Sequence, residues 1–161
     1  MIIEARELER ITGGSLTGAD SLKVTGIMTD SRVPGAGPDA LFIALRGPNH
    51  DGHRFIEPLY ARGVRLFLVD TLPPGHREMA GAGFVTVGDT LEALHCLAKW
   101  RRESYRGKII AVTGSAGKTI VKEWLAGTMS LAKSVIRSPK SYNSQVGVAL
   151  SLMNLDDHYE M

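Results

Sequence analysis

The chain of 161 residues is long enough for one domain, or for one domain and part of a second, and 43% hydrophobic against 22% charged residues excludes a disordered, collagenous or coiled-coil protein. A net charge of +2 gives no field for a nucleic-acid partner, so Arg101, Arg102, Arg106 and Lys108 read as a solvated helix end. Cys96 is the single cysteine, which rules out an internal disulfide, suits a reducing compartment and reads as a buried thiol on a helix.

The N-terminal stretch carries Glu4, Arg6, Glu7, Glu9 and Arg10 and no apolar h-region, and no later run reaches the roughly 18 apolar residues of a membrane span. The expected location is cytoplasmic, with no membrane partner. Leu8 and Ile11 lie at helical spacing within Ala5 to Thr12, and Gly13-Gly14 stops the helix. Leu22, Val24 and Ile27 form an extended run that Asp30-Ser31-Arg32 leaves in a turn, and Pro34 to Pro38 is loop. Leu41 to Leu45 reads as a buried strand, His53 to Arg62 as a helix ending at Gly63, Arg65 to Asp70 as a strand, Pro73 to Gly83 as a loop and Phe84 to Val87 as a strand. Asp89 caps a helix from Thr90 to about Tyr105. Strands alternating with helices at this spacing predict a small α/β domain with its linker helix over residues 1–106.

The segment from Lys108 to Leu125 carries the chemistry. Ile109 to Val112 is a continuous apolar run of the kind found in buried parallel strands, and Thr113, Gly114, Ser115, Ala116 and Gly117 make the turn that follows it. Glycines at 114 and 117 let backbone N–H groups close around an anion, and a helix starting near Lys118 adds its unpaired N–H groups and positive dipole end. Lys118 would bring a full positive charge to the β and γ phosphates of a nucleotide, and Thr119 would offer its hydroxyl to Mg²⁺. The Walker A pattern is incomplete, since Val112 stands where that pattern wants glycine. Beyond the loop, a strand is predicted over Ser134 to Arg137 and a helix over Ser144 to Asn154. Residues 107–161 thus read as the beginning of a nucleotide-binding domain with a parallel sheet, whose further strands and second metal ligand are expected after Met161. The chain is expected to be the front of a longer protein and inactive alone.

Four segments together resemble a known family, the Mur ligases of peptidoglycan synthesis. They are TDSR at 29–32, LFIALRGPNHDGHRFI at 41–56, VTGSAGKTIVKEWL at 112–125 and SPKSYNSQVGVALSL at 138–152. The wording is most similar to the branch that joins D-alanyl-D-alanine to UDP-N-acetylmuramoyl-tripeptide, and VKEWL and SYNSQVGV look like the forms fused to an alanine racemase domain. Ala116 departs from the Asn or Ser common in the family, which removes a side chain and keeps every backbone N–H.

The resemblance implies an ATP-dependent ligase that activates a peptide carboxylate as an acyl phosphate, with Mg²⁺ required and a further acidic metal ligand beyond Met161. It places Ser31 beside the uracil of the UDP substrate, with Arg32 in the same turn. Without the family, the turn reads as one that only caps local backbone. Arg46 and Gly47 sit where a loop leaves a strand end, and Arg46 is open to two roles, a diphosphate contact or a surface ion pair. Asp51 reads as the cap of the helix that follows it. Asn143 and Gln145 could meet a γ phosphate or the tripeptide carboxylate, or Asn143 could cap its helix. The five histidines do not fall at zinc-ligand spacing. Two other readings stay open, a folylpolyglutamate-synthetase-like ligase sharing the T-G-x-x-G-K-T loop and a non-catalytic UDP-sugar or nucleotide-binding module. The sequence does not set the oligomeric state.

Overall fold

The computed structural model describes residues 2–47, 50–139, 142 and 144–161. It divides into two compact units, one through Leu97 and the other from Ala98.

The first unit opens with β1 (Ile3–Glu4) and α1 (Ala5–Thr12), the latter stopped as expected by Gly13 in the left-handed conformation. There follow β2 (Ser15–Gly18), β3 (Lys23–Val24), β4 (Gly26–Met28), β5 (Ala40–Ile43), β6 (Arg46–Gly47) and β7 (His50–Asp51). The predicted helix at His53 to Arg62 is two pieces, a 3-10 turn at Gly52–Phe55 and α2 (Ile56–Ala61). The unit continues through β8 (Leu66–Val69), a short 3-10 turn at His76–Glu78 and β9 (Gly83–Thr86). Helix α3 (Thr90–Ser104) begins where Asp89 Oδ1 accepts the N–H groups of Leu91 at 2.6 Å and Glu92 at 3.0 Å.

Its main sheet has the order β2-β9-β8-β5-β4, parallel throughout except for β2, which runs antiparallel to β9. Short antiparallel pairs, β1 with β3 and β6 with β7, flank it. The central strands are buried on both faces, which is why they read as unbroken apolar runs. Register aligns Phe42 with Phe67 and Phe67 with Phe84, so three phenyl rings cross the sheet in a row. Phe42 meets Phe67 edge-on at 6.5 Å and Phe67 stacks on Phe84 at 5.3 Å, with Ile56 and Leu59 of α2 in the same cluster. Burying each ring contributes about 1.5–3 kcal/mol, and each ring pair about 0.5–1.5 kcal/mol more. Leu41, Ile43, Leu68 and Val85 alternate onto the other face and are fully buried.

The second unit contains the end of α3, then α4 (Lys118–Met129) and α5 (Gln145–Met153). The predicted strands at 109–112 and 134–137 are not formed: among the described residues neither belongs to a ladder, and Ile110 is 49% exposed. A buried parallel strand needs neighbours on both edges, and here the pairing is confined to isolated bonds. Lys108 N–H donates to Glu160 O at 2.9 Å, Glu160 N–H to Ser134 O at 3.0 Å and Ile136 N–H to Met161 O at 2.9 Å. Glu160 and Met161 thus tie the start of one segment to the other.

Two further expectations are corrected. Arg101 is not solvated; it is buried, and its guanidinium donates to Leu155 O through Nε at 3.1 Å and Nη2 at 2.6 Å. Cys96 is exposed, because the buried apolar positions of α3 are Ala93, Leu94, Leu97 and Ala98 and residue 96 falls off that stripe.

Candidate functional site

The phosphate loop lies in the second unit. Gly114 has φ 147° and Gly117 φ 76°, and Gly117 is the N-cap of α4, so the chain turns from loop to helix through a conformation that a side chain would resist. Lys118 and Thr119 are the first residues of α4, beside its unpaired N–H groups. Ser115, Ala116, Gly117, Lys118, Thr119 and Ile120 line an open depression of about 300 Å³. Lys118 Nζ folds back over the loop, donating to Gly114 O and to Ser115 O at 3.3 Å. Thr113, Gly114, Ser115, Ala116 and Thr119 are exposed, so their polar groups face solvent. Exposed N–H donors, a lysine and a positive helix end fit a polyphosphate. Thr119 supplies a hydroxyl oxygen of the kind Mg²⁺ takes, and no group of three His, Cys, Asp or Glu that could hold a metal occurs among the described residues.

Gln145 is exposed at the start of α5 and is not among the residues lining that depression. The cap of α5 is Ser144, whose Oγ accepts Gly147 N–H at 3.0 Å. Asn143, the expected alternative cap, lies outside the described residues.

The other candidates lie in the first unit, in segments that follow β4 and β5. After β4, Asp30 accepts the N–H of Arg32 at 2.9 Å and pairs with its guanidinium at 2.6 Å, and these hydrogen bonds hold the Asp30 carboxyl well below the usual carboxylate range. Ser31 is half-buried between them, and its carbonyl accepts from Arg62, as does the carbonyl of Val33 at 2.8 Å.

After β5, Arg46 and Gly47 form the β6 side of a two-residue ribbon whose register sets Arg46 opposite Asp51. Arg46 reaches Asp70 at 3.1 Å and Asp51 at 3.7 Å, so its ion-pair role is present in the structure. His53, only 11% exposed, is wedged between the same acids, with Nδ1 2.8 Å from Asp51 Oδ1 and Nε2 3.2 Å from Asp70 Oδ1. Asp70 N–H also lies 3.3 Å from Nε2 as a donor. Asp51 also accepts His53 N–H at 3.0 Å, acting as the predicted cap, and these bonds lower its pKa. Sequence reasoning did not find Asp70 or Arg62, whose contacts join residues 17 to 31 positions apart.

Against known proteins, the profile described as "Mur ligase family, catalytic domain" matches residues 23–102, which lie ahead of the phosphate loop. Pairwise relatives cover both units. The UDP-N-acetylmuramoyl-tripeptide–D-alanyl-D-alanine ligase of Escherichia coli is 32% identical over 96% of this chain and 32% of its own length. That of Haemophilus influenzae is 31% identical over 95% of this chain and 33% of its own length. A crystal structure of MurF from Acinetobacter baumannii superposes with a TM-score of 0.88 at 29% identity, covering 99% of this chain and 34% of its own. MurF ligase from Thermotoga maritima in complex with ADP has a TM-score of 0.68 at 26% identity, covering 81% of this chain and 29% of its own. The chain spans about a third of the length of the curated relatives it matches. With the phosphate loop, the mostly parallel α/β sheet and these relatives in agreement, the chain belongs to the Mur ligase family.

Proposed function

We propose that this chain provides the UDP-substrate domain, residues 1–106, and the opening of the ATP-binding domain, residues 107–161, of a cytoplasmic ligase that joins D-alanyl-D-alanine to UDP-N-acetylmuramoyl-tripeptide. The observation that carries the proposal is the loop at 113–119, with Gly117 left-handed at the N-cap of α4 and Lys118 folded over it. The named activity of the relatives and the ADP held by one of them support the choice of reaction and nucleotide.

A peptide carboxylate is ionised at neutral pH and a poor electrophile. In the proposed reaction the tripeptide carboxylate takes the γ-phosphoryl group of ATP, and the resulting acyl phosphate is attacked by the amine of D-alanyl-D-alanine with loss of phosphate. The first step brings two anions together, and fixed positive groups must offset their repulsion. Lys118 and the amides of Gly114 to Gly117 would stabilise the phosphates, and Thr119 would hold Mg²⁺, which adds charge neutralisation when bound. For the substrate's far end, Ser31 and Arg32 would contact the uridine, and Arg46 and Gly47 the diphosphate. Asn143 and Gln145 would face the γ phosphate or the tripeptide carboxylate.

Lys118→Ala tests this. Calorimetric titration of the chain with ADP should show affinity falling by about tenfold or more, and phosphate release by the full-length protein, dependent on both substrates, should fall by about 10³-fold. Undiminished phosphate release in the variant would remove Lys118 from its role.

A further inference from the structure

The turn at Asp30-Ser31-Arg32 is held by a residue that the motif does not contain. Arg62, at the C-cap of α2, donates through Nη1 to the carbonyl of Ser31 and through Nη2 to the carbonyl of Val33 at 2.8 Å. Among the described residues, these are the tertiary hydrogen bonds that reach residues 31–33. The contacts within the turn are local: Asp30 with Arg32, and Val33 N–H with Asp30 O at a long 3.4 Å. A segment continuing through Pro34, Gly35, Gly37 and Pro38 has no sheet ladder of its own, so its geometry depends on what grips it from outside.

The guanidinium suits that task. Its donors form a planar fork, and gripping the carbonyls of residues 31 and 33 fixes the orientation of the peptide planes 31–32 and 33–34. That leaves the side chain of Ser31 and its hydroxyl free for a ligand. The position at the end of α2 also sets the positive charge against the negative end of the helix, which helps keep Arg62 in place.

We infer that Arg62 is a positioning residue for uridine recognition: it grips the carbonyls of Ser31 and Val33 and so presents the Ser31 side chain to the UDP end of the substrate. The inference rests on the proposed uridine-binding role of Ser31.

The test is calorimetric titration of this chain with UDP, with ADP as a control ligand. Arg62→Ala should weaken UDP binding by about tenfold and leave ADP binding within about twofold. Arg62→Lys should restore only part of the loss, since one amine cannot match both carbonyls. If Arg62 acts through the Ser31 turn, Arg62→Ala combined with Ser31→Ala should bind UDP little worse than the weaker single variant, because neighbours acting through one element are not additive. Amide exchange at Ser31, Arg32 and Val33 should also quicken in Arg62→Ala while Leu68 stays protected. Unchanged UDP affinity, equal losses for UDP and ADP, fully multiplicative effects, or unchanged exchange in the turn would each overturn the inference. If the unsubstituted chain binds ADP but not UDP, the uridine reading falls and takes this inference with it. If UDP binds, and Ser31→Ala weakens it but Arg62→Ala does not, only the inference falls.

Discussion

The first unit closes its own core and the second does not. In the first, strands β5 and β8 are buried on both faces and Phe42, Phe67 and Phe84 pack in register. In the second, α4 presents Ile120, Val121, Trp124 and Leu125 to solvent, with Trp124 72% exposed, and Leu131 beyond it is 87% exposed. Residues 120, 121, 124 and 125 lie on one side of the helix, so the pattern is amphipathic even though the apolar side is bare. Apolar patterning thus marks a finished core in one unit and an open face in the other. Periodicity tells which side of an element is meant for contact, and the contact itself depends on what lies opposite.

The comparison can be broken most sharply at Phe67. Phe67→Ala should cost about 3–5 kcal/mol, since ring contacts on both sides are lost at once, and amide exchange at Leu68 should speed by about two to four decades. A change below one decade would mean that the sheet of the first unit is not the rigid body its packing indicates. A smaller effect is expected at the start of α5, where Ser144→Ala should cost about 1 kcal/mol by freeing Gly147 N–H, read as faster exchange at that amide. Smallest of all, Trp124→Gln should shift the urea midpoint of the chain by no more than about 0.5 kcal/mol equivalent despite removing one of the two tryptophans. A large loss there would show that the exposed face of α4 is in fact covered in solution.

Much of the first unit was legible in the sequence. The bounds of α1, the cap role of Asp51 and the start of α3 at Asp89 all follow from local rules, because each is decided by side chains within a few residues of the backbone they serve. The short strands β1 and β2 were not read, since two to four residues carry too little alternation, and β2 exists by pairing with a strand more than sixty positions later in the chain. The runs at 109–112 and 134–137 show the converse: strand composition is present and the ladder is not. At the site, the loop glycines, Lys118 and Thr119 were visible because spacing alone encodes a phosphate cradle. The clasp of His53 between Asp51 and Asp70 and the grip of Arg62 on the Ser31 turn were invisible, because each is a meeting of separate elements that no local pattern announces.

The exposure of Cys96 has a practical consequence. As the only thiol in the chain, standing off the buried stripe of α3, it offers a single address for covalent chemistry. One maleimide probe per molecule would attach at a known helical register, without competing sites and without prying open a core.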